Sequence, residues 1–532
     1  MSKLTPLQRL LQAAIAASTL AAAVSLTAQV PTPTDSNPAG RAGVPGGRAG
    51  GPGRGLGGQI LAIPPKPLYA DIKPVLSADA LREIKIPNTT IESVTPNADG
   101  SLRITAVVNH PPASDRVQVF IGLPLNWNGR FQGTGGGGWS GGGAGSVNGP
   151  LAQGYAAGST DTGHAGGSGT FGLDKDGKSD TQAVIDNAYQ GIHDMTVVGK
   201  ALTNAYYGKP PKYSYFVGAS TGGRQGLSEA QRFPDDYDGI VSGCPAINWD
   251  RFQLGSLWGI AVQMAANDRI PTAKFSAATT AFIAACDEVD GVKDGIVEDP
   301  ERCTFDLKSL VGQDMGGSPF TETDAEVIRR IWEGPRARDG SFLWYGESKG
   351  ADLGALAGAR PLSISVDWIR YFVLKDPKWD ISQLTLDEFE RLYELSRQEW
   401  GSIFGTDNPD LTKFRDHGGK IVIMHGQADQ LIMTQGTVDY YKRVMDKMGG
   451  REKTMQFARL FLIPAAGHGN GGTGSGPLEA VLKWVEEGTA PEKLINRTQN
   501  RTRPLFPYPE LTKYTGSGST DDAANFVSVL PR

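Results

Sequence analysis

The chain of 532 residues holds only three cysteines, Cys244, Cys286 and Cys303, so a cysteine-rich scaffold is excluded. Its formal net charge is −5 and it has no long basic run, so nucleic acid is not an expected partner. After the N-terminus it lacks any run of about 18 apolar residues, so the mature chain is expected to be soluble, with no membrane partner. Histidines number six, which leaves few candidates for a general base. What the chain has in abundance is glycine, 70 residues of it, and any glycine motif must therefore be judged by its setting.

Length allows one large domain with an insertion, or two to three domains. Residues 1–28 open with a short positive region and continue as an alanine-rich apolar segment, the pattern of a secretory signal peptide, which makes export the expectation. Residues 29–58 are a Gly/Pro/Arg/Ala stretch that cannot build a core and read as a disordered linker. From residue 59 to 249 the chain alternates strands and helices. Early strands are expected at 102–108 and 116–123, and a helix at 182–205. The segment 130–143 reads as a loop, too glycine-rich for regular structure. From 250 to 405 the composition shifts toward Trp, Asp and helical stretches. Strand character returns within 406–532, at 420–426 and 460–464, before a late helix at 477–487. Strand–helix alternation interrupted and then resumed predicts an α/β fold whose sheet carries a large inserted lid domain.

The most informative segment is 213–232. A β-prone run ends at Gly218, Ser220 sits in Gly-x-Ser-x-Gly, and a helix follows. This is the sequence form of a nucleophile elbow, where small residues two before and two after the serine permit a sharp turn. A nucleophilic serine needs a base, and the base an orienting acid. Asp429 follows the run 420–426, and His468 follows 460–464, in the chain order Ser, Asp, His of an α/β hydrolase. Asp410 and Asp416 follow no β run. Of the other histidines, His425 reads as a packed structural residue and His164 as one that lines the site or orders its loop. His110, His193 and His417 have no motif around them. The oxyanion donors are expected to be the N–H of Thr221 and, from the glycine loop, those of Gly136 and Gly137.

Cys286 and Cys303 bracket a short polar loop and are assigned to a disulfide. Within that loop Asp287, Asp290 and Asp294, with the carbonyls of Val292 and Ile296, offer hard oxygen ligands, so a structural Ca2+ is expected there. Cys244 is left over as a buried structural thiol, since no histidine or cation flanks it locally. Trp368, Arg370 and Phe372 are candidate substrate contacts in the lid, with core packing as the competing role of the two aromatics.

On these residues the chain resembles the tannase/feruloyl esterase family, a group that includes mono(2-hydroxyethyl) terephthalate hydrolase. The resemblance runs from about residue 60 to the end. It is carried by Ser159–His164, Lys209–Phe216, Ser220–Gln225, Asp238–Trp249, the acidic loop, His425–Asp429 and Gly516–Asn525. It implies an α/β-hydrolase core, a lid with structural calcium, and hydrolysis of aromatic acid esters of the feruloyl, galloyl or terephthalate-monoester type through an acyl-enzyme. The expected partner is then a small aromatic ester. The alternatives are a non-catalytic binding module on the same scaffold and a broad arylesterase. The family places cysteines directly before the nucleophile and directly after the catalytic histidine. Here Ala219 and Gly469 stand at those positions, and Phe506 replaces a further cysteine.

Overall fold

The computed structural model describes residues 61–531 apart from 289, 316, 470, 475 and 499. The segments expected to be signal peptide (1–28) and linker (29–58) lie outside the described residues. Nine strands form one sheet: β1 (Thr89–Pro96), β2 (Leu102–Val108), β3 (Val117–Leu123), β4 (Arg130–Thr134), β5 (Ala156–Thr160), β6 (Tyr213–Ala219), β7 (Gly239–Gly243), β8 (Lys420–Gly426) and β9 (Ala458–Ile463). Their spatial order is β1-β2-β3-β5-β4-β6-β7-β8-β9. The first three strands and β5 pair antiparallel, and the pairs from β5–β4 through β8–β9 are parallel.

Alternation of side chains along each strand divides the core between the two faces of the sheet. Phe216, Ile240, Ile421, Ile423 and Leu460 face one layer, with Ile192, Met195, Val198 and Leu202 of the helix Gly191–Tyr207. Tyr215, Val217, Val241, Val422, Met424 and Phe461 face the other, with Leu478, Val481 and Trp484 of the helix Gly476–Glu487. A mainly parallel sheet covered by helices on both faces, with a sharp strand-to-helix turn at Ser220, is the α/β-hydrolase fold.

Two sequence expectations need correction here. Arg130–Thr134, read as loop, is the fully buried strand β4 between β5 and β6. Its glycine fits because a Cβ at Gly133 would stand 2.2 Å from the Tyr237 hydroxyl, so packing selected glycine where propensity argued against a strand. The helix expected at 182–205 is interrupted: Thr181–Ile185 leads into a π-helical turn, Asp186–Gln190, before Gly191–Tyr207.

Between β7 and β8 the chain leaves the sheet. Its described residues there form helices, among them Thr272–Cys286, Glu322–Glu333 and Leu386–Phe404, and contribute no strand to the sheet. These helices share an aromatic core with Trp139, Val184 and Ala188 of the earlier segment, so one apolar cluster binds the insertion to the rest. Cys286 and Cys303 are paired in a disulfide, and Cys244 is a buried free thiol.

Candidate active site

The turn at Ser220 is built by close backbone approach. Ser220 has φ 60° and ψ −122°, a conformation non-glycine residues rarely hold outside functional turns. A Cβ at Gly218 would come within 2.4 Å of the Gly222 carbonyl, so only glycine lets strand β6 reverse into the helix Thr221–Arg232. The turn is pinned on both sides. Ser220 N–H donates to the Gly243 carbonyl at 2.9 Å, and Ala246 N–H donates to the Ser220 carbonyl at 3.0 Å.

Asp429 and His468 come from the loops after β8 and β9, and those loops are laced together. Ala428 N–H donates to Ala466 O at 2.9 Å, and His468 N–H donates to Gln430 Oε1 at 2.9 Å. His468 Nδ1 and Asp429 Oδ2 stand 2.9 Å apart. The buried Asp429 accepts three further hydrogen bonds: from Leu431 N–H (2.8 Å) and Ile432 N–H (2.9 Å) on Oδ1, and from His425 Nε2 (3.1 Å) on Oδ2. Burial alone would push its carboxyl up, but His468 and His425 outweigh that and hold it well below the usual carboxylate range. For His468, burial opposes the charged form, while Cys244 and Asp429 together raise it well above an ordinary histidine.

His425 has a part that sequence reasoning missed. Its Nε2 faces two acceptors, Asp429 Oδ2 and the Ile432 carbonyl at 3.2 Å, so that nitrogen carries the proton, and Nδ1 accepts from Thr437 Oγ1 at 2.9 Å. It is a packed residue, as expected, and it also orients Asp429. The signal was its position at the end of β8, four residues before the aspartate.

Cys244 is the buried free thiol expected from the sequence, in surroundings the sequence did not announce. No histidine flanks it in sequence, yet its sulfur, an Asp429 oxygen and a His468 ring nitrogen all lie within 4.8 Å of one another. Cys244 follows Gly243, the residue whose carbonyl receives the Ser220 N–H. Among the described residues no hydrogen bond joins the Ser220 hydroxyl to His468. Such bonds are often long before substrate tightens them.

The oxyanion expectation is half corrected. Thr221 is the first residue of its helix, so its N–H has no partner within that helix. Its hydroxyl donates to Gly138 O at 2.6 Å, which fastens the glycine loop beside the helix start. Gly136 N–H, however, donates to Gln225 Oε1 at 2.9 Å, and Gly137 N–H to Ser140 O at 3.0 Å. Both glycine donors assigned from the sequence are already in use.

The lid residues require a correction too. Trp368 and Phe372 are fully buried: the Trp368 indole N–H donates to Ser396 Oγ at 2.8 Å, and Phe372 stacks on Trp139 at 4.8 Å. They pack the lid core rather than wall an open pocket. Arg370 Nε donates to the Trp379 carbonyl at 2.8 Å, which ties it to the same segment. His164 stacks on Phe171 at 3.9 Å.

In the disulfide-closed loop, Asp287 Oδ1 accepts from the N–H groups of Asp294 (3.0 Å), Gly295 (2.8 Å) and Ile296 (3.2 Å). Asp290 Oδ1 accepts from Val292 N–H at 3.0 Å, and burial pushes the Asp290 carboxyl up. Asp294 is held by Arg501 at 3.1 Å and by Arg503. The candidate donors are all oxygens, the ligand type a hard cation takes, but Asp287 Oδ1 is already engaged by three backbone N–H groups. Two guanidinium groups compete for Asp294.

The model of the family described as tannase and feruloyl esterase matches residues 104–529. A protein of Arthroderma benhamiae described as "Probable feruloyl esterase" is 37% identical over 471 residues, 83% of this chain and 86% of its own length. Among solved structures, feruloyl esterase B from Aspergillus oryzae superposes with a TM-score of 0.75 at 29% identity, covering 85% of this chain and 100% of that one. The tannin acyl hydrolase from Aspergillus niger shares the fold, with a TM-score of 0.76 at 24% identity over 86% of this chain and 95% of that one.

Proposed function

This chain belongs to the tannase and feruloyl esterase family and is a carboxylic ester hydrolase, and we propose that Ser220, His468 and Asp429 carry its reaction on esters of aromatic acids. The single observation supporting the assignment is the 2.9 Å contact between His468 Nδ1 and a four-fold hydrogen-bonded Asp429, at the sheet rim where the elbow presents Ser220.

In this reading His468 takes the Ser220 proton on Nε2 as Oγ bonds to the ester carbonyl carbon. The carbonyl oxygen becomes an oxyanion facing the Thr221 N–H and the positive end of its helix. Collapse breaks the bond to the alkoxy oxygen, which leaves as the alcohol with the proton from His468. Water then repeats the sequence on the acyl-serine and releases the acid. Asp429 fixes the imidazole tautomer and offsets the transient imidazolium charge. With Gly136 and Gly137 engaged elsewhere, Thr221 supplies the donor assigned here.

The substrate class belongs to the same proposal: feruloyl, galloyl or terephthalate monoesters. The proposed Ca2+ would be held by Asp287, Asp290, Asp294 and the carbonyls of Val292 and Ile296, where it would supply only charge compensation to the loop. The segment 1–28 would direct export, in keeping with a chain that carries a disulfide. A panel of methyl ferulate, methyl gallate and a terephthalate monoester, run beside Ser220→Ala, tests the function. Turnover of at least one aromatic ester, lost in the folded variant, supports it. Unchanged turnover in Ser220→Ala would remove it.

A further inference from the structure

A second histidine–carboxylate group lies away from the nucleophile, where the helices Gly191–Tyr207 and Thr221–Arg232 meet. His193 Nδ1 stands 2.7 Å from Asp236 Oδ2, and its ring stacks on Phe233 at 3.9 Å, which fixes its orientation. Glu229 is only 1% exposed, and neither of its carboxyl oxygens has a hydrogen-bond partner. One ligating atom from each of His193, Glu229 and Asp236 lies within 4.8 Å of the others.

A buried carboxylate with no donor is costly, by roughly 1–3 kcal/mol or more for a charged group. Two carboxylates drawn together need a positive charge between them. Lys200 is the nearest ammonium, but its Nζ donates to the Asp236 backbone carbonyl, leaving the Glu229 oxygens unserved. Either a proton or a metal cation can fill the gap. The donor set, one imidazole nitrogen and two carboxylate oxygens, is one that divalent first-row metals accept. Ligands about 2.1 Å from a tetrahedral ion stand about 3.4 Å apart, so an ion entering here would open the 2.7 Å contact between His193 and Asp236 and draw Glu229 in. His193 and Asp236 keep partly exposed side chains, which leaves a way in.

We propose that His193, Glu229 and Asp236 bind a divalent transition-metal ion of the Zn2+ or Mn2+ type, with a structural role on the helix that follows Ser220. The test titrates full-length protein, freed of transition metal but kept in Ca2+, with ZnCl2 by calorimetry, beside Glu229→Gln and His193→Asn. Glu229→Gln imitates the protonated acid, and His193→Asn alters a partly exposed side chain. The wild type is expected to bind one Zn2+ more than either variant and to gain a Zn2+-dependent rise in Tm that both variants lack. Equal stoichiometry in all three proteins, or a Tm rise that survives either substitution, overturns the proposal in favour of a proton shared between Glu229 and Asp236.

Discussion

Asp429 and Glu229 are both buried carboxyl groups near a histidine, and their charge states part company. Asp429 receives two backbone N–H groups and faces two imidazoles, so the ionised form is satisfied. Glu229 receives nothing, so burial favours its neutral form unless a cation arrives. Burial is common to both, and donors decide the outcome. The turn after β8 supplies those donors because its backbone folds back around Asp429. The helix carrying Glu229 has none to spare, since its N–H groups are consumed along the helix.

Substitution at the two acids separates them most sharply. Asp429→Asn should lower kcat by about 10⁴-fold, since the imidazole loses its tautomer control, while leaving the fold intact. Glu229→Gln should leave kcat/KM nearly unchanged, because Glu229 groups with His193 and Asp236 and not with Asp429 and His468. Steady-state kinetics on one aromatic ester measure both, and a comparable loss in Glu229→Gln would erase the contrast.

A pH profile sharpens the same comparison. His468 must be neutral to act as base, and its raised pKa means that kcat/KM climbs with pH through a limb above that of an ordinary histidine. Removing the Asp429 charge should move that limb to lower pH. A limb that stays in place in Asp429→Asn would show that the carboxylate does not set the imidazole.

Two smaller effects concern stability. The Cys286–Cys303 disulfide closes a loop with a sequence separation of 17, and the double serine variant should lose about 3 kcal/mol locally, read as a lower Tm with turnover kept at low temperature. Asp186 resembles Glu229 in kind: it is fully buried, one oxygen lacks a partner, and burial pushes it up to about 7. In the native state it holds a proton that the unfolded chain has released, so its contribution to stability falls as pH rises from about 4 to about 7. His110 beside it, also raised, loses its own contribution over the upper part of the climb and beyond, which has the same sign. The Tm of Asp186→Asn relative to wild type should therefore improve with pH across that window. A constant difference would show that Asp186 titrates normally.

The proposed reacting groups could be picked out because each sits in a local pattern at a strand end: Ser220 in its glycine frame, Asp429 after 420–426, His468 after 460–464. The sheet was legible at β2, β3, β6, β8 and β9, whose apolar β-prone runs stand out, while β1, β5 and β7 were not singled out. Nor was β4, because Gly133 answers to the Tyr237 hydroxyl, a partner distant in sequence. The same holds for Cys244 against His468, for Gly136 against Gln225, and for Trp368 and Phe372 in the lid core. In each case the deciding neighbour arrives through the fold, and no spacing along the chain announces it.

The central claim is that Ser220 is the atom that becomes acylated. Intact-mass and peptide mapping after brief exposure to a fluorophosphonate tests it most directly. One adduct on the peptide carrying Ser220, absent in Ser220→Ala and slowed in Asp429→Asn, is the predicted result. An adduct on the neighbouring Cys244, or labelling that persists without the serine hydroxyl, would contradict it.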